Sequence, residues 1–113
     1  MKKNCMFEAT LTGEVLHLVL CGEIDHHSAV AIRTEMDERI MASKPKKTVL
    51  DLSGIEFMDS SGLGLIMGRF ALMQRLGGEL TLKSPNERLM KIFDLAGLWR
   101  MVRIEEEGEE DKQ

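Results

Sequence analysis

The stretch Phe57-Met58-Asp59-Ser60-Ser61-Gly62-Leu63-Gly64-Leu65 marks a change of hydrophobic period, and the reading of the chain turns on it. Before it, residues 48–52 (T-V-L-D-L) are short and rich in β-branched and aliphatic side chains, the composition of a strand. After it, apolar residues recur at helical spacing to about Leu76. Asp59 and Ser60 sit at the changeover, where a helix exposes unpaired N–H groups and the positive end of its dipole. A serine there can cap the helix, and it can also carry a phosphate, because a helix N-terminus favours negative charge.

Working outward, alternation of the two periods predicts the order β-β-α-β-α-β-α. The fold class is therefore α/β, a mixed and mostly parallel sheet of about four to five strands with helices. Residues 5–11 and 15–21 form a hairpin about Thr12-Gly13-Glu14, and the second run, V-L-H-L-V-L-C, is apolar on both faces. His17 within it is expected as an ordinary strand histidine. Asp25 is an N-cap candidate for a helix whose inner face is Ala29, Ile32, Met36 and Ile40. Residues 48–52 are the central strand, and Ser53-Gly54-Ile55-Glu56 is expected as loop.

In the next helix, Leu63, Ile66, Met67 and Phe70 form one stripe, and Leu65, Arg69, Leu72 and Leu76 a second nearly opposite. Such a helix is either buried all round or offers its second face to a partner. Gly68 costs about 1 kcal/mol against alanine, which close packing against the backbone would justify. Glu79-Leu80-Thr81-Leu82-Lys83 alternates as a strand with one solvated face. Ser84-Pro85-Asn86-Glu87 predicts a helix capped by Ser84 with Glu87 completing a capping box, and Gly97 fits its C-terminal end. Residues 101–104 make a last short apolar segment.

Composition bounds the function. The chain has 113 residues, 43% hydrophobic and 30% charged, as in a soluble globular domain. Its net charge of −4 is uneven: the acidic stretch 105–113 holds six acids and one base, which leaves 13 acids against 14 bases in residues 1–104. We therefore expect one domain over residues 1–104 and a frayed acidic tail over 105–113. A nearly neutral body has no basic stripe for nucleic acid. No apolar run reaches membrane-spanning length, so a cytoplasmic protein without a membrane partner is the expectation. Cys5 and Cys21 are expected as small apolar fillers rather than a disulfide or a metal site. His26 and His27 are helix neighbours about 100° apart and cannot both ligate one ion without further ligands, so no metal is expected.

Catalytic uses of Asp59-Ser60 lack their signatures. The nucleophile elbow needs a glycine where Met58 stands, and a Walker loop needs a lysine after Gly62 or Gly64. The S-G-L-G run at 61–64 is too short for a dinucleotide fingerprint. No catalytic residue and no cofactor are expected. Two readings stay open on physical grounds: a plain helix cap, or a low platform of small residues where another protein comes close and a phosphate would disturb it.

Four segments then carry a resemblance: G-E-I-D-H-H at 22–27, F-M-D-S-S-G-L-G at 57–64, G-G-E-L at 77–80 and I-F-D-L-A-G-L at 92–98. Together they resemble the STAS-domain anti-sigma factor antagonists, with the D-H-H variant most similar to the family's sporulation member. The resemblance implies a non-enzymatic regulator. Its unphosphorylated form binds an anti-sigma factor that is also a serine kinase, releasing a sporulation sigma factor; the kinase phosphorylates Ser60, the complex separates, and a phosphatase restores it. It further implies a contact lined by Asp25, His26, Asp59, Ser61, Gly62 and Leu63, with Leu65 and Leu72 extending it. Alternatives from other signals are a nucleotide-binding domain, on the glycine-rich helix start, an antagonist in a general stress module, and a scaffold subunit of a stress-sensing or transporter assembly.

Overall fold

Gly13 takes the left-handed conformation (φ 61°) that a tight turn requires, and with Glu14 it joins β1 (Met6–Thr12) to β2 (Val15–Ile24) as an antiparallel hairpin. The computed structural model describes residues 6–105. Cys5, residues 1–4 and the acidic stretch from 106 onward lie outside the described residues. From β2 the chain runs through α1 (His26–Ser43), β3 (Lys47–Met58), α2 (Ser60–Arg75), β4 (Glu79–Lys83) and α3 (Glu87–Ala96). A short 3-10 turn, Leu98–Arg100, leads to β5 (Arg103–Glu105). The strands stand in the order β1-β2-β3-β4-β5, and every pair except β1–β2 is parallel. The expected mixed α/β sheet is present, with the last apolar segment supplying its short fifth strand.

Register lines up the core. Ala9, Leu18, Leu50, Leu82 and Ile104 are successive partners across all five strands, and Leu11, Leu16, Thr48 and Leu80 form the adjacent row. Leu16, Leu18 and Leu20 are buried, as are Ile32, Met36 and Ile40 of α1 and Ile66 and Met73 of α2, all in one cluster. Thr48, on this face, donates from Oγ1 to Met73 Sδ at 3.2 Å, fixing α2 over β3.

Three local expectations are corrected. Residues 53–56 are not a loop, because β3 runs on to Met58. The two extra residues of β3 are absorbed by register shifts opposite Val19/Cys21 and Gly22/Glu23. Gly54 is a glycine because a Cβ there would lie 2.6 Å from Cys21 Cβ. The strand faces also differ from the alternation argument. On β2 the side opposite the core leaves Val19 exposed, whereas Thr81 of β4 is fully buried. Finally, α3 is capped by Asn86 rather than Ser84. Ser84 ends β4 in a left-handed conformation, with its N–H donated to Glu105 O at 2.7 Å. Asn86 accepts from Leu89 N at 2.8 Å and donates to Ile55 O at 3.1 Å, tying the helix start to β3. Gly97, as expected, closes α3 with φ 68°.

Candidate functional site

Parallel pairing of β2 and β3 brings their carboxyl ends together. Ile24 and Met58 are register partners, and Asp59 N–H donates to Ile24 O at 3.2 Å. Each strand is followed at once by a helix, so the N-termini of α1 and α2 lie side by side, at the strand ends where open sheets of this type place their sites.

Both helices are capped by aspartate. Asp25, extended at φ −122°, accepts from Ser28 N at 2.9 Å, while its own N–H donates to Ser28 Oγ at 3.0 Å, a closed capping box. Asp59, extended at φ −100°, accepts from Ser61 N at 2.8 Å. Ser60 is therefore the first helical residue and not the cap. It is exposed, and among the described residues its hydroxyl enters no side-chain hydrogen bond.

The remaining expected contact residues divide by exposure. His26 is exposed, and Asp25, Asp59, Ser61 and Leu63 are half-buried at the same end of the sheet. Gly62 is buried, and a Cβ on it would stand 2.7 Å from Met58, so it sets how closely α2 approaches the end of β3. Leu72 does not extend the surface, and Leu65 reaches it only in the lining of a small groove. Leu65 and Leu72 are 4% and 8% exposed and belong to the core cluster, on the side of α2 that α1 covers. Gly68 has no close neighbour either: a Cβ there would meet nothing within 4 Å, so tight packing does not explain it.

Arg69, one turn beyond Leu65, is buried between the two helices with Nε 2.9 Å from Asp37 Oδ1 of α1. The contact is an ion pair without the geometry of a linear hydrogen bond, and Nη1 has no partner. Burial pulls the Arg69 pKa below its ordinary value, Asp37 opposes this, and the cation of Arg33 adds to it. The guanidinium remains charged.

Sequence reasoning missed the small groove between the helix starts. It is lined by His26, Ala29, Val30 and Arg33 of α1 and by Ser61, Gly64 and Leu65 of α2. The signal was legible, since His26, Ala29, Val30 and Arg33 follow the i, i+3, i+4, i+7 spacing of one helix face. Among the described residues no three His, Cys, Asp or Glu side chains converge as metal ligands. No helix there is long and apolar enough to cross a membrane.

Comparison with known proteins agrees with this geometry. Residues 6–110 match the STAS domain family. The chain belongs to that family. An anti-sigma F factor antagonist of Paenibacillus polymyxa is 40% identical over 90 residues, covering 80% of this chain and 77% of that one. An anti-sigma-B factor antagonist of Bacillus subtilis is 33% identical over 90 residues, covering 80% and 81%. Among solved structures, the anti-sigma factor antagonist SpoIIAA in its unphosphorylated form superposes with a TM-score of 0.74 at 27% identity, covering 94% of this chain and 93% of that one. The phosphorylated form of SpoIIAA from Bacillus gives 0.72 at 29%, covering 94% and 96%. In this company the STAS chain is a regulatory binding domain and not an enzyme.

Proposed function

We propose that the chain is an anti-sigma factor antagonist whose switch is the Ser60 hydroxyl. The observation that carries this is the division of labour at the start of α2. Asp59 satisfies the helix end, which leaves Ser60 Oγ exposed and uncommitted among small neighbours. In the unmodified state the platform formed by Asp25, His26, Asp59, Ser60, Ser61 and Leu63 docks on an anti-sigma factor and frees its sigma factor. That anti-sigma factor is a serine kinase, which transfers the γ-phosphoryl group of ATP to Ser60 Oγ. The phosphate brings about −1.5 to −2 charges. The N-terminus of α2 tolerates it, but beside the Asp59 carboxylate it turns the platform strongly anionic and the complex separates. A phosphatase removes the group and resets the switch. The domain, which runs to at least Glu105 of β5 rather than ending at residue 104, works in the cytoplasm.

The existence of SpoIIAA in both phosphorylated and unphosphorylated forms supports this cycle. The higher identity to the antagonist of anti-sigma F factor than to that of anti-sigma-B factor, 40% against 33%, favours a sporulation sigma factor over a general stress one.

Calorimetric titration with the anti-sigma factor of the same host tests the reading. The unmodified chain is expected to bind and Ser60→Asp to bind at least about tenfold more weakly, as expected when a charge enters a close contact. Equal affinity of the two would contradict a charge-operated switch. Titration of ATP or GTP into the isolated chain is expected to give no heat, and a saturable signal would favour the nucleotide-binding alternative.

A further inference from the structure

The groove between the starts of α1 and α2 lies next to Ser60 and carries an inference that rests on the partner-switch reading. We propose that it is a docking pocket for one acidic side chain, Glu or Asp, of the anti-sigma factor, with Arg33 as the residue that pairs with that carboxylate.

Size points to a side chain. The groove holds about 250 Å³, below the roughly 300–1,000 Å³ of pockets that enclose a small-molecule ligand. Its walls suit an apolar stem: Ala29 and the 59% exposed Val30 on one helix, Gly64 and Leu65 on the other. The space is not needed by the fold, since a Cβ on Gly64 would meet nothing within 4 Å.

Charge selects the head group. The seam between α1 and α2 holds two guanidinium groups, Arg33 and Arg69, against one carboxylate, Asp37, and Asp37 is engaged by Arg69. Arg33 forms no ion pair among the described residues and is near enough to Arg69 to press on its pKa. Asp25 and Asp59 do not line the groove, and their carboxylates are turned to the backbone N–H groups of Ser28 and Ser61. Arg33 thus lines the groove with no carboxylate beside it in the lining, and an incoming carboxylate would supply its counter-ion.

The placement also couples pocket and switch. Ser61 lines the groove and Ser60 is its chain neighbour, so a phosphate on Ser60 would confront the partner's carboxylate as a like charge and compete for Arg33. Loss of affinity on phosphorylation then follows from two anions competing for one guanidinium.

The test uses the full chain and the purified anti-sigma factor of the same host. Arg33→Glu is expected to weaken binding about 30-fold or more, and Arg33→Lys to stay much nearer the parent, with circular dichroism and thermal unfolding unchanged because the side chain is exposed. Gly64→Leu, which fills the groove and favours the helix, is expected to lose about tenfold in affinity without losing thermal stability. An acid-to-arginine scan of the anti-sigma factor should yield one reversal that restores binding to Arg33→Glu and weakens binding to the parent. Parent-like affinity of Arg33→Glu or Gly64→Leu overturns the pocket while leaving the partner switch standing. Weakened Arg33→Glu that no acid reversal rescues overturns the carboxylate partner. A parent chain that fails to bind the anti-sigma factor overturns the partner-switch reading and this proposal with it.

Discussion

At the first turn of α2, Asp59 and Ser60 have different duties, and the backbone decides which is which. The extended conformation of Asp59 lets its carboxylate reach Ser61 N, while Ser60 is already helical and points its hydroxyl outward. The D-S-S-G-L-G string showed that a helix starts there but not which oxygen caps it, because aspartate and serine are both good caps. The glycines of this helix separate equally clearly by environment. Gly62 faces Met58 at a distance no Cβ tolerates, whereas Gly68 faces open space. Gly62→Ala is therefore expected to destabilise the protein by about 1–3 kcal/mol, as overpacking does. Gly68→Ala is expected to stabilise it by up to about 1 kcal/mol through helix propensity alone. Urea unfolding of the two variants, compared at constant m-value, checks both signs.

Among the elements, α2 taught the most by departing from expectation. Its two apolar stripes left open a partner face carrying Leu65 and Leu72, but that stripe is buried, whereas in the other stripe Ile66 is buried, Leu63 and Phe70 are half-buried and Met67 is exposed. The sequence could not settle this, because the approach of α1 depends on the parallel pairing of β2 with β3 and not on any local period. Arg69, a charged member of the second stripe, is buried with Asp37 as its counter-ion. Removing that counter-ion by Asp37→Ala is expected to cost about 2 kcal/mol in unfolding free energy. This lies below the roughly 3–5 kcal/mol for a fully buried pair because the Asp37 side chain keeps 38% exposure. The double change Asp37→Leu with Arg69→Met, which replaces both charges by apolar groups, is expected to be near neutral. The continuation of β3 beyond residue 52 and the cap of α3 escaped notice for a different reason. A glycine that makes a bulge reads like a loop glycine, and the Ser84-Pro85 signal hid Asn86, whose side chain bridges α3 to β3.

For the molecule as a whole, alternation of period 2 and period 3.6 was enough to predict a mixed sheet with sites at the carboxyl ends of its strands. The structure places the Asp25 and Asp59 loops at neighbouring ends, bound to each other through Asp59 N and Ile24 O. The groove beside them was not assembled from the sequence, because its two sides come from helices whose starts are 34 residues apart in the chain and meet only in the fold. Placement of the hydroxyl at an exposed helix start, clear of any capping duty, supports the proposal that Ser60 is a substrate for another enzyme rather than a catalyst. The most direct measurement is to incubate the chain with the anti-sigma kinase of its host and ATP, then map the phosphate by mass spectrometry. A single phosphate on Ser60, absent from Ser60→Ala, is the predicted result; phosphate on Ser61 or elsewhere, with Ser60→Ala still accepted as substrate, would contradict it.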